Sequence, residues 1–400
     1  MNELENKYVN LLLERCLNFN KSKSLFISYN KINKDFVSKV VEKAKSMGIT
    51  DIYLDEEDSK FKHDKLKNIT IEEIQTDPYF DKSIWDVYAE KNASFLMLET
   101  VLPNYYDDIE PKIISESRNR EKKTRPLFRK KETTYEIPWN ISALPNELWA
   151  KSLFKEENAN ELLYKTIFKI CMIDTENPID SWNNELKKLK EKSIKLTNLK
   201  IKKLHYKNSL GTNLTLTMPK EYKWLSCADD SDMLVNMPSY EVFTSPDFRY
   251  TEGIVYSSRP LIYGGGLIND FYLKFKDGKV VEYDAKTGKE ILKGIIESDS
   301  NSSYLGECAL INYSSPISDT KLVFQTTLFD ENASCHLALG DSFPEALKDG
   351  DKLSDKELME KGLNKSTNHV DFMIGTKDLE IIAETENGNV QIFKDGNFVI

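Results

Sequence analysis

The chain has 400 residues, of which 40% are hydrophobic and 30% charged, and its formal net charge is -10 at pH 7. A chain of this length is too long for one ordinary core and predicts two domains. The negative charge argues against a general nucleic-acid binder and against adsorption to an anionic membrane, because both need a basic surface. We therefore expect a soluble protein with neither nucleic-acid nor membrane partners.

The amino terminus and the cysteines bear on location. The terminus lacks the basic start and apolar run of a signal peptide. No window approaches the roughly 18 apolar residues that span a bilayer. The five cysteines are scattered, odd in number and form no Cys-x-x-Cys pattern. Reduced thiols are the simplest interpretation, so we expect a cytoplasmic protein.

The first half of the chain alternates strand and helix patterns. Strand-type runs occupy 24–29, 51–54, 93–98 and 136–144. Helical patterns occupy 35–47, 83–91, 158–172 and 181–191, with Gly48 as a stop after the first. This alternation predicts an α/β layer with a largely parallel sheet.

The second half, after about residue 195, is dominated by strand patterns. Asp277-Gly278 and Asn387-Gly388 each separate two strand-type runs and predict hairpins. A short helix is expected from Asp330, a natural N-cap, to Gly340, a natural stop. The predicted class is therefore α/β in two domains. An N-terminal α/β layered domain spans 1–190, and a mixed, strand-rich α+β domain spans 191–400.

Four short stretches of the second half place metal-ligand side chains beside turn signals. They contain Glu241, Glu307, His336 and the pair His369 and Asp371, in a chain with only four histidines. Because His369 and Asp371 are two apart in an apolar run, a strand would point both to one face. Two imidazoles with three carboxylates suit a pair of divalent cations that activates water for hydrolysis.

Each of these residues also has an ordinary structural explanation. His369 and Asp371 could form a buried hydrogen bond. Glu307 could form an ion pair, since an isolated buried charge is costly. Glu241 could lie on a surface strand edge, and His336 could interact with the dipole at the end of the expected helix.

The wording of these stretches resembles the thermophilic-metalloprotease family of aminopeptidases. The similar segments are, in order, EVFT (241–244), TEG (251–253), LGE (305–307), DENASCHLALG (330–340) and HVDFMIG (369–375). The resemblance covers the whole chain and is specific from about Leu204 onward. It implies that the second domain binds two divalent metal ions through the five residues named above. Zn, Co or Mn suit such nitrogen and oxygen ligands.

The resemblance also implies an activity, that of a dinuclear metallo-aminopeptidase. This hydrolase would remove the amino-terminal residue from small peptides by metal-activated water. The free amine of the substrate would coordinate one metal, which explains cleavage at chain ends. Glu241 and Glu307 are both candidates for the carboxylate that carries the proton to the leaving amine, and the sequence does not separate ligand from base. The family further implies a homodimer.

One departure from the family pattern bears on catalysis, and a smaller one is Asn213, where the family usually has Asp. Seven residues after His336 the family has tyrosine, and this chain has Phe343, which cannot donate a hydrogen bond to an oxyanion. The departure leaves open a catalytically weakened relative that binds peptides. A two-metal hydrolase of another substrate class, such as phosphate esters, is a further alternative. It would need more Asp and His ligands and basic phosphate clamps near the site, and only Arg249 and Arg259 lie nearby in sequence.

Overall fold

The computed structural model describes residues 2–19, 23–227, 233–264 and 266–400. The chain divides into two compact units, one comprising Met1–Asn183 and Ala228–Ser239 and the other Asn184–Cys227 and Tyr240–Ile400. The expected boundary at 190/191 assigned all later residues to the second domain, whereas this division groups Ala228–Ser239 with the first unit. The domain limits themselves stay a prediction.

The helices alternate with strands in the first unit and are sparse in the second. In chain order they are α1 (Asn2–Asn10), α2 (Lys34–Ser46), α3 (Ser59–Asn68), α4 (Ile71–Ile74), α5 (Ser83–Glu90), α6 (Pro111–Lys123), α7 (Pro126–Thr133), α8 (Glu147–Leu153), α9 (Ala159–Ile170), α10 (Pro178–Asn198), α11 (Lys289–Ile296), α12 (Thr327–Asp330) and α13 (Asp355–Glu360). Within the part of the chain that the structure describes, none of them has the length and apolar character needed to cross a bilayer.

Among the described residues, the strands form three sheets. In chain order they are β1 (Ser24–Asn30), β2 (Asp51–Glu57), β3 (Ser94–Glu99), β4 (Trp139–Ala143), β5 (Lys203–Lys207), β6 (Asn213–Thr217), β7 (Leu225–Ser226), β8 (Asn236–Met237), β9 (Val242–Thr244), β10 (Glu252–Tyr256), β11 (Leu261–Tyr263), β12 (Gly266–Lys276), β13 (Lys279–Thr287), β14 (Leu305–Leu310), β15 (His336–Gly340), β16 (His369–Met373), β17 (Glu380–Thr385), β18 (Gly388–Lys394) and β19 (Asn397–Phe398).

The first unit contains the predicted parallel sheet. Its order is β2-β1-β3-β4-β8, and each neighbouring pair is parallel. β1 is buried along nearly its whole length, as is typical of a parallel strand covered on both faces. Its Phe26 ring stacks on Phe95 with centroids 5.0 Å apart and lies 4.8 Å from Trp85. The alternation of strand and helix patterns therefore predicted this unit correctly.

The second unit contains two antiparallel sheets, in agreement with the strand-rich expectation. The larger has the order β11-β12-β10-β6-β5-β17-β18-β19, with β13 paired to β12, and both predicted hairpins lie in it. Asp277 and Gly278 have φ of 49° and 79°, the left-handed pair that a tight hairpin turn requires. The smaller sheet has the order β16-β15-β14-β9-β7.

The helix expected from Asp330 to Gly340 is wrong. Helix α12 ends at Asp330, one 3₁₀ turn follows at Glu331–Ala333, and His336–Gly340 is strand β15. Asp330 is the last residue of α12, and its carboxylate accepts hydrogen bonds from the amides of Phe324 and Gln325. β15 is extended because β14 and β16 pair with it on both sides, a long-range influence that local propensity does not contain.

Candidate metal centre

The candidate ligands converge on one face of the smaller sheet. Directly opposed residues of antiparallel strands point to the same face. Glu307 on β14 lies opposite Ala338 on β15, and Ala338 lies opposite Asp371 on β16. His336 and His369 stand two residues from Ala338 and Asp371, so strand alternation places them on this face too. We call it the ligand face.

Glu241 joins the ligand face from the start of β9. Phe243, two residues further on, lies opposite Ala309, which in turn lies opposite His336. The amide of Tyr240 donates a 2.7 Å hydrogen bond to the side-chain oxygen of buried Asn332. This contact ties the segment before β9 to the turn before β15.

The ligand atoms form two overlapping groups. Within each group the atoms lie within 4.8 Å of one another, and the groups are Glu241, Glu307 and His336, and Glu307, His369 and Asp371. Nε2 of His336 lies 3.2 Å from Oε2 of Glu241 and 4.0 Å from Oε1 of Glu307. Nε2 of His369 lies 3.1 Å from Oε2 of Glu307 and 3.4 Å from Oδ1 of Asp371. Glu307 therefore belongs to both groups.

The orientation of His369 is set by a backbone carbonyl. Its Nδ1 lies 2.8 Å from the oxygen of Asp341. Because a carbonyl can only accept, Nδ1 carries the proton and donates it. Nε2 then faces Glu307 and Asp371. A metal-binding histidine commonly donates its other ring N–H in this way.

Burial and the close contact of carboxylates with imidazoles shift the pKa values at the ligand face. Burial, with Asp371 nearby, raises the pKa of Glu307 to about 7. Burial by itself lowers the pKa of His336, but the Glu241 carboxylate outweighs it and raises this pKa to about 10. Burial by itself raises the pKa of Asp371, but the His369 imidazole outweighs it and lowers this pKa to about 2.

Glu331 is a carboxylate of this environment that the sequence reasoning missed. It lies on the 3₁₀ turn before β15, five residues before His336. Its pKa is raised well above the ordinary value by burial and by the charges of Asp371 and Glu241. The acid was visible in the DENASCH stretch, but the helix expected there gave no reason to direct it toward the ligands.

This donor set fits divalent cations. It consists of imidazole nitrogens and carboxylate oxygens, which Zn, Co and Mn accept. Burial, and after it the charge of neighbouring carboxylates, raises the pKa of Glu307 and of Glu331, and a bound cation would favour the charged form of both. The small residues Ala309 and Ala338 form the floor of the ligand face, where they lie opposite His336 and Glu307.

Phe343 lies beside the ligand groups. Its ring centroid is 5.1 Å from the His369 ring, which it meets edge to face, and 5.0 Å from the Phe243 ring. The position at which the chain departs from the family pattern is therefore in contact with a candidate ligand. The Phe343 ring packs against the His369 imidazole and offers it no hydrogen-bonding group.

Other residues named from the sequence have different surroundings. Glu252 and Gly253 of the TEG segment begin β10 of the larger sheet, where exposed Glu252 accepts a hydrogen bond from the Asp277 amide. Arg249 forms a two-bond ion pair with Asp247, at 2.8 and 2.7 Å. Arg259 donates to the carbonyl of Leu322 at 3.0 Å. None of these contacts is with the five candidate ligands.

Comparisons with known proteins agree with the resemblance. Aminopeptidase AmpS of Bacillus subtilis (strain 168) is 33% identical over 401 residues, which cover 98% of both chains. Aminopeptidase PepS of Streptococcus thermophilus is 31% identical over 98% of this chain and 97% of its own. The structure of wild-type AmpT from Thermus thermophilus superposes with a TM-score of 0.90 at 27% identity, covering 100% of this chain and 99% of that one. The family model described as thermophilic metalloprotease (M29) matches residues 1–398. The chain thus belongs to the M29 thermophilic metalloprotease family.

Proposed function

We propose that the two overlapping groups on the ligand face are the catalytic centre of a metal-dependent aminopeptidase. Family membership and the names of the relatives support this hydrolase activity, in agreement with the resemblance. The observation that carries the proposal is the position of Glu307, which is common to both groups. A carboxylate common to both groups could hold two neighbouring cations in one site.

Each group would hold one divalent cation. Glu241 and His336 would bind the first, His369 and Asp371 the second, and Glu307 both. Bound there, the cations would supply Lewis acidity that activates water and polarises the scissile carbonyl. The nitrogen and oxygen donors favour Zn, Co or Mn.

The residues of the chain orient the ligands and move the proton. The Asp341 carbonyl holds His369 with Nε2 toward the carboxylates. Glu331 lies outside the two groups, and its pKa is raised by burial and by the charges of Asp371 and Glu241. We add it to Glu241 and Glu307 as a candidate for the carboxylate that takes a proton from the attacking water and delivers it to the leaving amine. A raised pKa suits such an acid.

The substrates would be small peptides with a free amino terminus. A neutral amine is a good ligand for a metal, and an amide nitrogen is a poor one, so the amine selects the end of the chain. We further propose a homodimer in the cytoplasm. The five buried thiols are in keeping with a reducing compartment, and light scattering of the purified protein tests the dimer.

The deciding experiment compares matched peptides. A dipeptide series is incubated in free-amine and N-acetylated forms, and mass spectrometry identifies the products. We expect release of the first residue from the free peptides and no cleavage of the acetylated ones. Chelation should abolish the reaction, and Zn, Co or Mn should restore it. Internal cleavage of an acetylated peptide at a comparable rate would refute the aminopeptidase.

Phe343 supports a second candidate, a peptide-binding relative with weak turnover. Its ring occupies the place beside His369 without a hydroxyl. Tight binding of a free-amine peptide by calorimetry with a negligible kcat would favour this candidate. A phosphate-ester hydrolase gains little support, since the guanidinium of Arg249 is already engaged by Asp247.

A further inference from the structure

Strand β14 contains one extra residue immediately before Glu307. In the ladder with β15, Leu305 lies opposite Leu339 and Glu307 lies opposite Ala338, so the register shifts at Gly306. An insertion of this kind is a β-bulge. Residues two apart on a regular strand share a face. The bulge instead puts Leu305 and Glu307 on opposite faces of the sheet.

The bulge decides which environment Glu307 enters. If the ladder continued in regular register from Leu305 and Leu339, Gly306 would lie opposite Ala338 and Glu307 opposite Leu337. Leu337 and Leu339 are fully or almost fully buried on the apolar face of β15. A carboxylate on that face would be costly to bury. With the bulge, Glu307 lies opposite Ala338 on the ligand face.

Gly306 also allows the backbone of Gly340 and Asp341 to lie close to β14. A Cβ built on Gly306 would overlap the carbonyl oxygen of Asp341 and crowd that of Gly340. The Asp341 oxygen is the atom that accepts the hydrogen bond from Nδ1 of His369. Glycine at 306 therefore leaves that oxygen where the imidazole can reach it.

We propose that Gly306 is a positioning residue of the metal centre. It acts through two partners: the bulge turns Glu307 to the ligand face, and the missing side chain lets the Asp341 carbonyl orient His369. Nε2 of His369 then meets Oε2 of Glu307 at 3.1 Å. The proposal rests on the proposed function, because it takes Glu307 and His369 as ligands.

The test is Gly306→Ala, with Gly294→Ala as the matched control. Gly294 is an exposed residue of α11, and a Cβ there meets nothing within 4 Å. Zn or Mn binding is measured by calorimetry, and folding by circular dichroism. We expect roughly 10- to 100-fold weaker cation binding in Gly306→Ala, the range for losing a partner that orients a ligand, and wild-type binding in Gly294→Ala. A folded Gly306→Ala protein with wild-type cation affinity would overturn the proposal.

A second measurement does not use the Gly306→Ala protein and so covers the case in which that variant fails to fold. In the Zn-loaded protein, ¹⁵N NMR of the imidazoles should place the His369 proton on Nδ1, with the resonance assigned by its loss in His369→Gln. A proton on Nε2 would contradict the orienting role of Asp341. If the wild type binds no divalent cation and cleaves no free-amine peptide, the proposed function fails. Normal wild-type binding together with normal Gly306→Ala binding defeats this inference alone.

Discussion

Replacing Glu307 with glutamine should remove both cations, whereas Glu241→Gln and Asp371→Asn should each remove one. The reason is geometric, since Glu307 belongs to both ligand groups and each of the others to one. The expected metal content per chain is about two for the wild type, one for either single-group variant, and none for Glu307→Gln. Glu345→Gln is a matched control, because Glu345 is a half-buried carboxylate outside both groups.

The loss of bound cations should also lower the melting temperature of the protein. A cation at about 100 times its dissociation constant stabilises the folded protein by about 2.7 kcal/mol per site. For a unit of about 200 residues this corresponds to a rise in Tm of roughly 5 to 11 °C. Glu307→Gln should lose this rise entirely, while its metal-free fold should be retained. Burial is the main cause that disfavours the charge of Glu307, so a neutral amide of the same size should be tolerated in the metal-free protein.

The assay is elemental analysis together with scanning calorimetry of metal-free and metal-loaded protein. The ordering of the variants is the informative result. If Glu241→Gln and Glu307→Gln retained the same number of ions, Glu307 would not be shared. If Glu345→Gln lost metal as well, the effect would reflect the loss of any buried charge in this unit.

Three further predictions follow from single contacts. Phe343→Tyr should raise kcat by up to about 10²- to 10³-fold with little change in KM if a phenol stabilises the oxyanion, and a change under about twofold in steady-state kinetics would contradict it. Ala338→Leu should fill the floor of the ligand face and block cation binding in calorimetry, while Ala338→Ser should retain binding. Asp299→Ala should lower the free energy of unfolding by about 2 kcal/mol in urea titrations at pH 7, because the carboxylate accepts hydrogen bonds from Ser366 and Thr367. Burial raises the pKa of Asp299, but these bonds outweigh it and lower the pKa to about 2. The difference between wild type and Asp299→Ala should therefore be full above pH 4 and vanish as the pH falls toward 2, and a difference independent of pH would argue against an ionised acceptor.

Local pattern was enough for much of the fold. The parallel sheet of the first unit follows from alternating strand and helix signals, and the hairpin at Asp277-Gly278 follows from the backbone angles that a tight turn requires. The spacing of His369 and Asp371 in an apolar run correctly placed both on one face of a strand. In each case the physical cause lies within a few residues of the pattern.

Long-range pairing decided the rest. His336 is on a strand instead of a helix because β14 and β16 pair with β15 on both sides. Glu331 lies among the candidate ligands on a turn whose Asn332 accepts a hydrogen bond from Tyr240, about 90 residues earlier in the chain. Glu307 faces the ligands because the bulge at Gly306 shifts the register by one residue. Register is a property of two strands that lie about 30 residues apart in the chain, so neither segment contains it alone.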